Sequence, residues 1–170
     1  MAELERTLVV LKPDAIKRWI VWEIIARFER VGLHIVGMKM VWVDDNLALA
    51  HYETIGTMKS RYGDEIYNTN AEYVKSWPVI AMVLEGVESI ALVRKMVGST
   101  EPKSAAPGTI RGDYNHLSYG YVDANKAWLT NIVHASANPE EAAQEIPLWF
   151  QSQELHNHTI EAHLYKRGHK

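Results

Sequence analysis

The sequence predicts an α+β domain with a ferredoxin-like βαββαβ core, in which four antiparallel strands form one sheet and helices pack over one of its faces. Three observations predict it. The 170 residues are 47% apolar and 23% charged, a balance that suits one core and excludes a disordered chain or two catalytic domains. Short β-branched apolar runs alternate with longer stretches of helical spacing, in the order strand, helix, strand, small helices, strand, helix, loop, strand, helix. Finally, no repeat or low-complexity linker divides the chain. Residues 1–150 are read as the domain and 151–170 as a C-terminal extension of it.

Thr7 to Leu11 is a continuous apolar run ended by Lys12-Pro13, a buried strand that delivers a lysine into a loop. Ile20 to Arg30 has helical spacing, with Ile20, Ile24 and Phe28 on one stripe, and Gly32 stops it. His34 to Val43 is the second strand. Asp44-Asp45-Asn46 supplies capping side chains for a helix running through His51-Tyr52. Tyr62 to Lys75 is a polar helix with a turn at Gly63-Asp64. Val79 to Leu84 is the third strand, and Glu88 to Val97 a helix closed by Gly98. From Gly98 to Gly120 the pattern stops, and a long irregular stretch in a small domain is usually a functional loop. Asn131 to Val133 is the last short strand. Asn138-Pro139-Glu140-Glu141 combines a cap, a first-position proline and first-turn acids, so a helix starts there and is expected to weaken at Pro147.

The formal net charge of −3 provides no field to hold nucleic acid or an acidic membrane, so any anion must be bound by a local site. The absence of cysteine excludes disulfide frameworks, zinc-thiolate sites and thiol nucleophiles. Met1 to Arg6 lacks the layout of an export signal, and the longest apolar run, Val79 to Leu84, is too short to span a bilayer. A soluble, cytoplasmic protein is expected.

The irregular segment gathers phosphate-handling groups. Arg94 leads into it, Thr100 and Lys103 lie within it, and Arg111 stands between Gly108 and Gly112. Glycines admit an anion to the backbone, and guanidinium groups bind phosphate oxygens through two donors at once. A solvated loop with ordinary turn glycines is the competing reading, and no Walker-type P-loop is present. Of the eight histidines, His156, His158 and His163 sit in a polar tail at no zinc spacing, and His34, His51, His116 and His169 have ordinary explanations. His134 differs, because it ends an apolar strand and precedes the small residues Ala135 and Ser136. A neutral imidazole is a competent nucleophile toward phosphorus if one nitrogen is free and the other is oriented. Glu145, on the following helix, is the candidate orienting group, against the plainer reading of an exposed helical glutamate.

Taken together, Glu5-Arg6-Thr7, Lys12-Pro13-Asp14, Gly98-Ser99-Thr100 with Pro102, Pro107 to Asp113, Asn131 to Ser136, and Glu145-Ile146 with Leu148-Trp149-Phe150 resemble the nucleoside diphosphate kinases from Glu5 to Phe150. The resemblance implies transfer of the γ-phosphoryl group of a nucleoside triphosphate to a nucleoside diphosphate, by a ping-pong route through a phosphohistidine on His134. It implies Glu145 as the group orienting that ring, with Tyr52 and Ser136 supporting its neighbourhood. Lys12, Arg94, Thr100 and Arg111 would contact phosphates, Asn131 with Lys12 the ribose, and Mg²⁺ would bridge the phosphates. It also implies a homo-oligomer, a hexamer or tetramer built from dimers.

Departures from the family pattern are expected to matter locally. The base-packing phenylalanine falls in an insertion around Met58 to Asn68, where Tyr62 and Tyr67 are both candidates. A second insertion spans Asn115 to Thr130. Ala137 replaces a usual acid and Thr130 a usual arginine. Trp19, Trp22 and Trp77 stand where relatives usually have glycine, and Trp19 and Trp22, three apart, would share a helical face as an aromatic patch for a subunit contact. Two other functions compete with the transferase. A catalytically weak nucleotide-binding scaffold is disfavoured by the retained His134, Lys12, Arg94, Arg111 and Glu145. An RNA-binding module is disfavoured by the acidic balance.

Overall fold

A computed structural model describes residues 4–157; His158, His163, His169 and the rest of the tail lie outside them. Strands β1 (Glu5–Leu11), β2 (His34–Val41), β3 (Val79–Gly86) and β4 (Val133–Ala135) form one sheet in the order β2-β3-β1-β4, each neighbouring pair antiparallel. This is the βαββαβ topology.

The helices cover both faces of the sheet, which corrects the expectation of one. The apolar runs of β1 and β3 alternate between two cores: Val9, Leu11, Met82 and Leu84 enter one, and Leu8, Val10, Ala81 and Val83 the other. A central strand that is apolar at every position has two faces to bury. The first is covered by α2 (Val21–Arg30) and α6 (Ser89–Val97), through Ile24, Phe28, Val93 and Val97. Over the second lie α3 (Asp45–Leu49), α5 (Asp64–Lys75) and α9 (Pro139–Trp149), through Ala48, Ala71, Val74 and Trp149.

Local chemistry explains the boundaries. A short helix, α1 (Pro13–Lys17), follows β1 directly. Asp44 caps α3 by accepting from the Leu47 N–H at 2.8 Å, and the chain continues into a π-helical turn over Ala50–Ile55, inside which the successive residues His51 and Tyr52 are both buried. Gly63, at φ +89, separates α4 (Met58–Tyr62) from α5. In α9 the Asn138 side chain accepts the Glu141 N–H at 2.8 Å. That helix does not stop at Pro147. The Phe150 N–H still reaches the Ile146 carbonyl at 2.8 Å, and burial of Trp149 and Phe150 outweighs an interior proline's cost of about 3 kcal/mol.

The segment expected to be irregular, Gly98 to Gly120, contains α7 (Ile110–Tyr114), and α8 (Tyr119–Asn125) begins at its end. Both are too short to display a hydrophobic period and are started by caps instead, Thr109 accepting from Gly112 at 3.1 Å and Ser118 from Tyr121 at 3.2 Å. Gly112 is demanded by packing, since a Cβ there would lie 2.1 Å from the Ala106 carbonyl oxygen. Arg27 fastens this loop to α2 through an ion pair with Asp113 at 2.6 Å and by lying over the Tyr114 ring at 4.7 Å.

Two further expectations change. The second strand ends at Val41, leaving Trp42 exposed beyond it. The last strand is Val133–Ala135 rather than Asn131–Val133, because Asn131 and Ile132 form a tight turn described below. The start of the extension folds back over β2: the His156 N–H donates to the Val36 carbonyl at 2.7 Å, and Leu155 lies where a Cβ on Gly37 would be, at 2.8 Å.

Trp19 and Trp22 do not share a helical face. Trp19 precedes α2 in a left-handed turn at φ +60 and is 91% exposed. Trp22 is also largely exposed, and Trp77 packs against Trp42 at 6.2 Å beneath the Lys17 ammonium.

Candidate active site

The β1–β4 register sets His134 opposite Val10, and strand alternation directs it to the same side as Val10, where α9 and the π-helical turn pack. From α9, the stripe Ala142, Glu145 and Trp149 is buried, so Glu145 reaches the strand. Its Oε1 lies 2.8 Å from His134 Nε2, and its Oε2 accepts the Ser136 hydroxyl at 2.6 Å. Ser136 Oγ in turn accepts the Leu8 N–H at 3.2 Å. Burial pushes the Glu145 carboxyl upward, but His134 first, and then the neighbouring His51 ring and the Ser136 hydroxyl, outweigh it and hold it below the usual carboxylate range. The carboxylate therefore stays ionised and accepts a proton-bearing Nε2, which leaves Nδ1 with the free lone pair. The His134 side chain is 24% exposed and Glu145 only 3%, so the imidazole is open to a ligand and its partner is not.

His51 belongs to this cluster. Its ring meets His134 edge-on at 4.4 Å, Tyr52 at 5.0 Å and Trp149 at 5.5 Å. The Trp149 indole N–H donates to its Nδ1 at 3.3 Å, which defines a neutral tautomer. Burial first, then the His134 charge, pushes its pKa down to about 3. Nothing in the spacing of the sequence marks His51 apart from its neighbour Tyr52. Tyr52 itself is buried and its ring contact is with His51, and burial holds its hydroxyl well above the usual range.

Near the ends of β1 and β4 lies a set of cations that form no ion pair among the described residues. Arg111 is 3% exposed and spends three of its five donors on backbone carbonyls, those of Asn131 at 3.0 Å, Gly98 at 2.9 Å and Val133 at 2.6 Å. Lys12 donates to Asn131 Oδ1 at 2.7 Å, and Asn131 Nδ2 donates to the Thr100 carbonyl at 3.1 Å. Arg94 reaches the Ala135 carbonyl at 3.4 Å. Burial and the neighbouring Arg111 push the lysine down to about 8, while burial and Arg94 push Arg111 down to about 10. Cations arranged to depress one another are stabilised when an anion arrives. Thr100 is exposed at the rim.

The turn joining these two halves is strained. Ile132 has φ +71, and the Val133 N–H closes onto the Asn131 carbonyl across it at 2.8 Å. A γ-turn of this hand at a β-branched residue costs about 1–3 kcal/mol and persists only where the surroundings enforce it.

A cleft of about 640 Å³ is walled by Ile66, Thr69, Asn70 and Tyr73 of α5 and, opposite, by Tyr119, Val122 and Trp128. It joins the site through Tyr73, whose hydroxyl bonds the Asp14 carboxylate, and through Tyr119, which lies in electrostatic reach of Arg111. Tyr67 is on the other side of α5 and lines a separate cleft with Asp45, Ala48 and Lys75. The helical period separates residues 66, 69, 70 and 73 from 67, 71 and 75. Tyr62 is 60% exposed and in electrostatic reach of Tyr119 at the cleft mouth. Trp128, in the second insertion, was not singled out by its sequence; its ring packs on Tyr73 at 5.6 Å.

Among the described residues, the single trio able to offer three metal-ligating atoms within 4.8 Å is His51, His134 and Glu145. Two nitrogens and one carboxylate suit a transition metal, not Mg²⁺, which takes oxygen ligands.

A family model described as nucleoside diphosphate kinase matches residues 5–155. The nucleoside diphosphate kinase of Pyrococcus furiosus is 44% identical over 170 residues, covering 100% of this chain and 98% of its own length. That of Borreliella burgdorferi is 43% identical over 155 residues, covering 91% and 92%. A solved structure of a Borrelia burgdorferi nucleoside-diphosphate kinase, a transition-state mimic with bound vanadate and ADP, superposes with a TM-score of 0.88 at 42% identity, covering 93% of this chain and 94% of its own. A halophilic nucleoside diphosphate kinase from Halobacterium salinarum in complex with CDP gives 0.79 at 34% identity, covering 93% and 95%. The matched range takes in every residue of the site from Lys12 to Glu145, and the chain belongs to the nucleoside diphosphate kinase family.

Proposed function

We propose that the nucleoside diphosphate kinase reaction of this chain runs through Nδ1 of His134. The activity itself, passage of a terminal phosphoryl group from a nucleoside triphosphate to a nucleoside diphosphate, follows from the family. The observation that carries the assignment is the pairing of His134 Nε2 with a buried carboxylate at 2.8 Å near Lys12, Arg94 and Arg111, three cations whose charge the nearby Asp14 offsets only in part. The Nδ1 lone pair attacks the γ-phosphorus, the bond to the bridging oxygen breaks, and the diphosphate leaves with that electron pair. The Nε2 proton remains in its hydrogen bond to Glu145, whose charge steadies the imidazolium character of the intermediate. A second diphosphate then attacks the phosphoryl group from the same cleft, and the P–N bond breaks.

Lys12, Arg94 and Arg111 hold the phosphates, with Thr100 at the rim and Asn131 with Lys12 on the ribose. Little covalent work is left to the protein beyond the nucleophile, so these fixed charges carry the catalysis. The two unspent Arg111 donors are positioned by three carbonyl bonds and do not reorganise as charge migrates. Mg²⁺ would enter with the nucleotide's phosphates and would supply charge neutralisation beside Lys12, Arg94 and Arg111. For the base we favour the cleft wall of Ile66 and Trp128 over Tyr67. Contact through an apolar side chain and an aromatic face tolerates different bases.

The protein is read as a cytoplasmic homo-oligomer, a hexamer or tetramer built from dimers. Among the described residues no helix is long and apolar enough to cross a membrane. The edge strand β2 leaves Met38 and Met40, with Trp42 beyond them, exposed at alternate positions, a face and an edge suited to a second copy.

Incubation with γ-labelled ATP and Mg²⁺, followed by peptide mapping, tests the assignment. Acid-labile label on the His134 peptide that passes to added GDP, and is lost in His134→Gln, is expected. Label persisting in His134→Gln overturns it.

A further inference from the structure

Asp14 is a buried carboxylate that the phosphoryl-transfer scheme does not use. It sits in the first turn of α1, two residues after Lys12, and is 7% exposed. Its Oδ2 accepts the Ile132 N–H at 3.1 Å, and its Oδ1 accepts the Tyr73 hydroxyl. Tyr73 is itself held by the Asp14 N–H at 3.4 Å and by the Trp128 ring. At the other end of Ile132, the Lys12 N–H donates to that residue's carbonyl at 2.8 Å.

Those contacts converge on the one turn that separates the phosphate contacts from the nucleophile. Ile132 is fully buried at φ +71, Asn131 before it takes the Lys12 ammonium, and His134 follows two residues later. A β-branched residue does not hold that conformation unaided. Released, Ile132 would return to an extended conformation, and Asn131 and His134 would swing relative to each other and to Arg111, which grips the carbonyls on both sides of the turn. A nucleophile displaced by about 1 Å from in-line geometry loses on the order of 100-fold in rate.

We propose that Asp14 is a positioning residue for phosphoryl transfer, clamping the strained Ile132 turn so that His134 stays aimed at the phosphorus held by Lys12 and Arg111. This rests on the reading of His134 as the nucleophile. Tyr73 holds the clamp from behind, so the wall of the base cleft and the aim of the nucleophile are joined through one carboxylate.

Single-turnover phosphorylation by ATP, ADP affinity by titration, and thermal unfolding would be measured for wild type, Asp14→Asn, Tyr73→Phe, Ile132→Gly and Asp14→Asn/Ile132→Gly. Asparagine keeps the volume of aspartate but has one acceptor oxygen, for which the Ile132 N–H and the Tyr73 hydroxyl then compete. Asp14→Asn is expected to slow phosphorylation about 30- to 100-fold, with ADP affinity within about threefold of wild type. Tyr73→Phe, which loosens the clamp without breaking it, is expected to slow it several-fold. Glycine adopts positive φ freely, so in the Ile132→Gly background the Asp14→Asn change should cost less than about threefold. Equal losses in the two backgrounds would overturn the proposal, because Asp14 would then act on something other than the turn. So would wild-type phosphorylation in a folded Asp14→Asn protein, or a loss that lies wholly in ADP affinity. If Asp14→Asn does not fold, a folded Tyr73→Phe protein phosphorylated at the wild-type rate overturns it. Label retained in His134→Gln would instead defeat the assignment of the nucleophile, independently of these outcomes.

Discussion

The carboxylate of Glu145 engages His134 at Nε2, 2.8 Å away, and is itself locked by the Ser136 hydroxyl at 2.6 Å. One ring nitrogen is thereby committed before any nucleotide arrives, and the chemistry of the phosphoprotein follows from it. The ³¹P spectrum of the phosphorylated protein should carry the shift of an Nδ1-phosphohistidine. Glu145→Gln, which keeps the shape and removes the charge, should slow phosphorylation by roughly 10- to 100-fold. A signal from Nε2-phosphohistidine contradicts the assignment.

Lys12 is pushed down to about 8, first by burial and then by Arg111. Below that pH the nucleotide-free protein carries the full cost of a buried charge. Between about 8 and the unfolded value of 10.5 the unfolded chain holds a proton that the folded one has released, so stability rises with pH across this window. Lys12→Met should raise stability at pH 7 by up to about 3 kcal/mol while abolishing turnover. For wild type, KM for nucleotide should climb above pH 8. Urea unfolding and steady-state kinetics from pH 7 to 10 test both, and a Lys12→Met protein no more stable than wild type refutes the electrostatic account.

His51 shows the opposite consequence of burial. With its pKa pushed down to about 3 by burial and by His134, it stays neutral while the unfolded chain protonates near 6.5. Stability is therefore lost as pH falls from 6.5 toward 3. His51→Gln retains an acceptor for the Trp149 indole but has no proton to gain, so its stability should decline less steeply in that interval, by up to about 1.4 kcal/mol per pH unit. Parallel profiles for the two proteins would mean that His51 is charged in the fold.

Trp19 sits at φ +60 and is 91% exposed, a conformation that glycine adopts without strain. Trp19→Gly should stabilise the protomer by about 1 kcal/mol, through relief of that strain, and leave turnover unchanged. Sedimentation of the Trp19→Gly/Trp22→Gly chain beside wild type tests the subunit contact expected of these indoles. A smaller assembly would mean that these indoles hold a subunit contact, and an unchanged mass would leave them as exposed surface.

The sheet topology was legible because the apolar runs of β1 and β3 and the stripe Ile20, Ile24, Phe28 are written in neighbouring positions. His134 was legible in part, since a histidine ending an apolar strand before two small residues has few structural uses. The side of α5 on which Tyr67 lies was not legible, because an insertion hides the phase of that helix, and one residue's rotation moves a side chain to the next cleft. Trp128 gave no local signal, and Asp14 entered only as part of the Lys12-Pro13-Asp14 block; Tyr73, which touches both, joins them only in the fold.

By itself, then, the sequence determined the order of the strands and the main helices, because hydrophobic period and caps are properties of short stretches, and it offered His134 and the cations as candidates whose roles came from the family resemblance. The tertiary structure alone decided which imidazole nitrogen is free, which lysine is depressed, that both sheet faces are covered and that Ile132 is held at positive φ. Those depend on desolvation and on contacts such as Lys12 with Asn131, 119 residues apart, and such distances exist only once the chain has folded.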